Sequence, residues 1–258
     1  LSVTLEDLGR QGEIPTHPEL LDWLAADFKS HWSRKKLHKK IVMSRTYRQS
    51  SVTSKRKLIS DPANEYYGRA TPLRLKAETI RDVVLQFSGL LSKKMYGPPV
   101  KPPQPANVWR VTGQVDNTYK FSQGEKRYRK GLYTIWRRSA HYPSFANFDA
   151  PDRGACTVKR TRSNTPLQAL TLMNDEVYLE AATALAKKIR DYKEAKSTEE
   201  KINYGFRLCT SRLPDKSEVV ILKNILQREY SEKRSKKFDQ WFTLATVLIN
   251  MHETITRR

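Results

Sequence analysis

Cysteine is scarce in this chain: Cys156 and Cys209 are the only two among 258 residues. They form no CxxC pair and no CxxCH haem-attachment motif, which excludes a redox dithiol or a covalently held haem of that type. A single disulfide is one reading, and two isolated buried thiols is the plainer one. Histidine is also sparse. His17, His31, His38, His141 and His252 are scattered singles. With no HxH, HExxH or His-and-Cys cluster, no metal site wholly inside the chain is expected. Long apolar runs are missing as well. None approaches the roughly 18–20 residues that cross a bilayer, and no signal peptide is visible. The chain opens at Leu1 without an initiator Met, which reads as a beginning that has been removed. No self-similar period suggests a solenoid. No helix-turn-helix, zinc-finger or RNA-recognition signature is present.

Acidic residues are locally absent. From Lys29 to Ser60 there are eleven Lys or Arg and no Asp or Glu. Overall, 48 Lys and Arg stand against 27 Asp and Glu, a net charge of +21. Such a field favours polyanions: nucleic acid, acidic polysaccharide, an anionic lipid surface or an acidic partner domain. Hydrophobic content of 38% still fits a folded chain.

The local signals are mainly helical. In "PTHPELLDWLAADF", Thr16 and Glu19 have capping-box spacing, and Pro18 suits a first turn. Leu20, Leu21, Trp23, Leu24 and Phe28 would supply its apolar face. A second helix is expected after Ser33, with Leu37 and Ile41 on one face and Lys35, Lys36, Lys39 and Lys40 largely on another. Residues 49–60 read as loop. "AETIRDVVLQFSGLL" is the cleanest helical period, carried by Ile80, Val83, Val84, Phe87, Leu90 and Leu91. Five prolines between Pro98 and Pro105 exclude a regular helix, and an extended crossing is expected. Residues 110–127 read as loop. "RYRKGLYTIWRR" is ambiguous between helix and strand, with helix preferred. The stretch from Ser139 to Ser163 reads as long and irregular.

"NTPLQALTLMND" then opens a helix expected to run to about Arg190. Thr165, Pro166 and Gln168 have the spacing of a capping box, and Leu167, Leu170, Val177, Ala181, Ala184 and Leu185 would form the buried face. Asn164, Asn174 and Asp175 are poor mid-helix residues and are expected to bond a neighbouring loop. Ser197 with Glu200 and Asp215 with Glu218 form two more boxes, and a last helix carries Trp241 through Ile255. The fold class is therefore mainly α, an irregular multi-helix domain with long ordered loops, taken as one domain over 1–258.

The blocks "GEIPTHPELLDWLAADF", "LHKKIVMSRTYRQSS", "LRLKAETIRDVVLQFSGLL", "GLYTIWRRS", "FDAPDRGACTVKRTRSNTPLQALTLMNDEVYLEAA" and "VLINMHETITRR" resemble, in that order, the planctomycete-type domain of unknown function numbered 1553. The resemblance runs from about Asp7 to the end. It implies a bacterial protein, with this domain as the C-terminal part of a large polypeptide. Upstream would sit a cytochrome-c-like haem domain and a second domain of unknown function, numbered 1549. It also implies a periplasmic or secreted location, because c-type haem is attached outside the cytoplasm. The family has a further helical segment before the "GEIPTHPELLDWL" block, so this copy reads as truncated at its start. No reaction comes with the resemblance, and no cofactor is expected in this domain itself. The lysine density of residues 29–60 exceeds what the family implies.

Three groups of residues are candidates for chemistry. Arg153, Arg160, Arg162 and Asn164 lie in an irregular segment anchored to a helix start, where an anion could bind; the alternative is a salt-bridged network that pins the loop. His17, Asp149, Asp152 and Asp175 are the polar residues that acid–base chemistry would draw on. Lys35, Lys36, Lys39 and Lys40 are the core of a polyanion patch. Aromatics also interleave with cations in "YKFSQGEKRYRKGLYTIWRR", as in single-strand binders, although helical spacing explains most of them as core.

The leading expectation is a module that is not autonomously catalytic. It would dock onto upstream domains of the same polypeptide, with an anionic polysaccharide as a further candidate partner. An exposed apolar patch near the start of the chain would favour docking. The alternatives are part of an enzyme acting on complex polysaccharide, with a site shared with an upstream domain, and, less favoured, a nucleic-acid binder.

Overall fold

The computed structural model describes Asp7 and residues 9–109, 119–231 and 240–257. The described residues group into two compact units, one from those up to Leu73 together with Thr157–Lys159, the other from those between Arg74 and Cys156 and between Arg160 and Arg257. The described residues are mainly α.

In the first unit, helix α1 spans Pro18–His31. Its N-cap is His17, not Thr16, and the expected box with Glu19 does not form. The cause is Pro18: the residue before a proline is disfavoured in the helical region, so His17 cannot be a first-turn residue. Thr16 Oγ1 instead meets His17 Nδ1 at 2.9 Å. The chain turns at Trp32, whose left-handed backbone (φ 51°) returns its N–H to Phe28 O at 2.7 Å. Ser33 then caps α2, Arg34–Met43, by accepting the Lys36 N–H. Within the expected loop lies a short helix, α3, Lys55–Ser60, capped by Ser54. A serine cap followed by Lys, Arg, Lys and Leu is sufficient for that turn. Asp61 closes the next turn by accepting the Glu65 and Tyr66 N–H groups at 2.8 and 3.1 Å. None of the three helices contains a buried residue. The apolar face expected of α1 is thus only partly covered: Leu21, Leu24 and Phe28 are half-buried, whereas Leu20 is exposed and Trp23 is 55% exposed.

The second unit begins with α4, Ala77–Ser88. Gly89 ends it in the left-handed region (φ 87°), so the N–H groups of Leu90 and Leu91 reach back to Leu85 O at 2.9 and 3.0 Å. The proline run then lies extended, and Val100 pairs with the segment around Thr134. Its N–H donates to Tyr133 O (2.7 Å) and its O accepts from Ile135 N–H (2.8 Å). That pairing corrects the helix preferred for "RYRKGLYTIWRR". The segment forms two 3-10 turns, Gly124–Tyr128 and Gly131–Tyr133, followed by the bridge. Local packing explains it: Gly131 sits against α4 so closely that a Cβ would lie 2.9 Å from Glu78 Cα. Residues 110–118 of the expected loop lie outside the described residues.

Helix α5, Pro143–Asn147, interrupts the irregular stretch. Then come α6, Pro166–Asn174, and α7, Glu176–Arg190. One helix was expected here; Asp175 divides it. Its backbone is extended and its carboxylate accepts the Val177 N–H at 3.0 Å, so it caps α7. Leu167 and Leu170, expected in the core, are exposed on α6. Helix α8, Thr198–Thr210, and α9, Lys216–Ser231, follow. The Asp215–Glu218 box forms in full, each carboxylate accepting the other residue's N–H at 2.8–2.9 Å. Ser197 accepts from Glu200 N–H, while the Glu200 carboxylate takes the Lys196 N–H one residue earlier. The last expected helix is likewise two, α10, Gln240–Asn250, and α11, His252–Ile255, divided at Met251.

Helix α7 is central. Ala181, Leu185 and Ile189 meet Ile80, Val84 and Phe87 of α4, Ile202 and Phe206 of α8, and Leu244 and Leu248 of α10 in one apolar cluster. At Gly205 of α8 a Cβ would lie 2.5 Å from Ile189 Cδ1, so the absent side chain sets how closely α8 approaches α7.

Candidate functional site

The segment between α5 and α6 carries the densest set of candidates, and the structure distributes them over three anchor points. The first is Asp149. It adopts φ 58°, and its carboxylate accepts the Ser163 N–H at 2.7 Å and the Ser163 hydroxyl at 2.8 Å. Gln168 does not close a capping box with Thr165. It is buried, and its amide donates to Ser163 Oγ at 3.0 Å. Its carbonyl oxygen accepts from Arg74 Nη1 at 2.5 Å, while Arg74 Nη2 donates to Asn164 Oδ1 at 2.6 Å. Asp149 and Asn164 therefore belong to one network, held by Arg74, Ser163 and Gln168.

The second anchor is Arg160, which makes a two-pronged pair with Glu78 of α4 at 2.7 and 3.1 Å. Burial pushes the Glu78 carboxyl up, but the Arg160 hydrogen bonds and charge, a backbone N–H and the Arg153 charge together hold the group below its ordinary value. The third is Trp136. The Arg153 guanidinium lies 4.6 Å from its ring centre, and its indole N–H donates to Asp152 O at 3.1 Å. Asp152 Oδ1 in turn accepts the Gly154 N–H. Arg162 is exposed. Chemically, these groups hold the long loop in place. Of the candidate arginines, Arg160 is engaged by Glu78 and Arg153 lies over Trp136.

Asp175 stands apart from this network. It lies in a cleft of about 420 Å³ whose lining includes Pro103, Pro105, Asn147, Leu170 and Asn174. Burial raises its pKa to about 6, against the lowering effect of the Val177 N–H. Asn174 Nδ2 returns to Leu170 O within α6. The charge of Arg81, which is 1% exposed and donates from Nη2 to Arg127 O at 2.7 Å, also lowers the Asp175 pKa.

Two of the interleaved cations of "YKFSQGEKRYRKGLYTIWRR" turn inward, while Lys120, Lys126 and Arg138 are exposed. Arg127 is buried and pairs with Glu176 and Glu180 of α7. Arg129 is buried beside the Tyr133 ring and donates to the carbonyls of Tyr96 (2.6 Å) and Pro98 (3.2 Å). This segment is structural at its two central arginines.

In the first unit, the His17 ring stacks on Tyr67 with centres 4.9 Å apart. Lys40 pairs with Asp27 and lies 4.7 Å from the Trp23 ring centre, which ties α2 to α1. Lys35, Lys36 and Lys39 are exposed. Cys156 is exposed and Cys209 buried, both as free thiols, so neither the disulfide nor a pair of buried thiols is formed. Burial pushes the Cys209 thiol up to about 12. Among the described residues, no group of three or more His, Cys, Asp or Glu is placed to hold a metal ion. No described helix is long and apolar enough to cross a membrane.

The fold defines a mainly α chain whose long loop is locked by polar anchors. A family model described as PSD1, protein of unknown function (DUF1553), matches residues 1–226, and the chain belongs to that family. No curated protein and no solved structure matches the chain.

Arg74, Glu78, Ser163 and Trp136 were not among the residues singled out by sequence. Only Gln168 carried a local signal, and that signal pointed to helix capping.

Proposed function

We propose that this chain is an interaction module without autonomous catalysis, and that its basic N-terminal unit binds a polyanionic partner. One observation carries the reading: α1, α2 and α3 bury none of their residues, while residues 29–60 present eleven cations and no carboxylate. A helix normally gains its stability by burying an apolar face, so helices that leave large apolar residues exposed, as Trp23, Met43 and Ile59 are, are suited to contact something else. Support also comes from the 149–168 segment, whose carboxylates and amides are engaged in holding the loop. The setting we propose, following the family resemblance, is a large extracytoplasmic bacterial polypeptide with haem c carried upstream and neighbouring domains as further contacts.

The test is binding of the chain to a sulfated glycan, a uronate-rich glycan and single-stranded DNA at low and high salt. The expected result is binding that weakens with salt and falls about tenfold or more in Lys35→Glu/Lys36→Glu/Lys39→Glu. Absence of binding to all three, or full binding by the triple variant, contradicts the proposal.

A second reading, an enzyme for complex polysaccharide completed by an upstream domain, has Asp175 behind it. A carboxyl titrating near 6 in a cleft suits a proton donor. Its test is release of reducing sugar by the full-length polypeptide. Release that Asp175→Asn abolishes favours it; release unchanged by that substitution removes it.

A further inference from the structure

Both α2 and α3 end in the same way. Each places cations immediately before large apolar residues: Lys39-Lys40-Ile41-Val42-Met43 closes α2, and Lys55-Arg56-Lys57-Leu58-Ile59 makes up nearly all of α3. The apolar residues are not turned inward. Met43 is 58% and Ile59 81% exposed, and Ile41, Val42 and Leu58 are also exposed. In the same unit, Trp32 and Val52 are 72% and 82% exposed. The cations beside them are exposed too; Lys40 pairs with Asp27 of α1, and no carboxylate occurs in the sequence from residue 29 to 60.

A soluble polyanion would need only the cations. Exposed Trp, Met, Ile and Leu would contribute little to it and would cost solubility in the free chain. A surface that rewards both at once is an anionic bilayer. Its headgroups attract Lys and Arg, and its acyl boundary accepts the apolar side chains a few ångströms deeper. Side chains in a helix lean toward its N-terminus. When the C-terminal end of α2 or α3 dips, the Lys heads therefore trail at the headgroup level while Met43 or Ile59 enters.

We infer that the N-terminal unit binds an anionic lipid surface, with the helix ends 41–43 and 58–59 entering the interface and the neighbouring lysines on phosphate headgroups. This inference rests on the polyanion-binding reading and names its partner.

The experiment is co-sedimentation of the full chain with vesicles of phosphatidylcholine alone and with about one-third phosphatidylglycerol, with a sulfated glycan as the soluble comparison. The expected result is binding only to the phosphatidylglycerol vesicles, with a blue shift of tryptophan emission. Met43→Gln/Ile59→Gln should lose about tenfold or more on vesicles and nothing on the glycan. Lys35→Glu/Lys36→Glu/Lys39→Glu should lose about 100-fold on vesicles and should weaken on the glycan as well. Because all five positions are exposed, unchanged thermal unfolding of each variant confirms that the fold is retained. Glycan binding without vesicle binding overturns the lipid inference and leaves the polyanion reading standing. Vesicle binding that Met43→Gln/Ile59→Gln does not reduce overturns it as well, since charge alone then suffices. Failure to bind either probe overturns both.

Discussion

Helices α1 and α4 start from similar sequence signals and end in opposite environments. Both carry apolar residues at helical spacing. In α4 that stripe is buried, with Ile80 and Val84 fully inaccessible, because α7 and the turn at Gly131 cover it. In α1 it is only partly covered: Leu21, Leu24 and Phe28 are half-buried, and Leu20 and Trp23 remain exposed. Periodicity therefore identifies a face that can be buried; what meets that face is decided elsewhere in the chain or outside it. The two regions also differ in charge. Helices α2 and α3 lie within the carboxylate-free stretch 29–60, whereas the buried Arg127, in the 3-10 turn Gly124–Tyr128, pairs with Glu176 and Glu180 of α7.

The sharpest way to break the comparison is truncation in each region. Leu185→Ala removes a side chain fully enclosed by α4, α8 and α10 and should cost about 2–5 kcal/mol in urea unfolding. Leu20→Ala, at an exposed position of α1, should cost less than about 1 kcal/mol. Equal costs would mean that α1 has a core of its own.

Asp175 gives the next largest effect, and its sign is unusual for a carboxylate. Its folded pKa is raised from 3.8 to about 6. The fold therefore favours the protonated form, and stability is highest below the unfolded value. It falls as pH rises from about 4 to 6 and is level above that. Asp175→Asn keeps an oxygen for the Val177 N–H and removes the buried charge. It should flatten this window and raise stability at pH 7 by about 1–2 kcal/mol, measured by unfolding across pH. A loss of stability at pH 7 would contradict the assignment.

The smallest effect belongs to the loop anchor. Arg160→Ala should cost about 1 kcal/mol and increase proteolysis within 150–163. The Glu78 contribution runs opposite to that of Asp175. Its pKa is lowered in the fold, so its stabilisation is present above the ordinary carboxylate value and is lost as pH falls through the depressed one. A double-mutant cycle with Glu78→Gln should isolate the pair.

Much of the fold was legible because it is local. The Asp215–Glu218 box, the Ser33 start of α2 and the stripe of α4 all depend on residues within a few positions of one another. Other features were misread where a second local effect intervened. Pro18 displaced the cap from Thr16 to His17, and Asp175 preferred starting a helix to continuing one. The candidate segment 149–164 was legible as a dense polar group, but its partners were not. Arg160 meets Glu78 82 positions away, and Gln168 meets Arg74 94 positions away. Neither pairing leaves a trace in local spacing. The inward turn of Arg127 and Arg129 was hidden for the same reason, since the carboxylates and carbonyls that receive them lie on other elements.

Hydrogen exchange along the whole chain, with and without a saturating sulfated glycan, tests the central claim most directly. Binding through the N-terminal unit predicts new protection confined to the helices within residues 29–60, with α4 and α7 unchanged. Protection that appears instead around Asp149, Arg160 and Asp175 would contradict the account and place the binding site in the loop and cleft of the second unit.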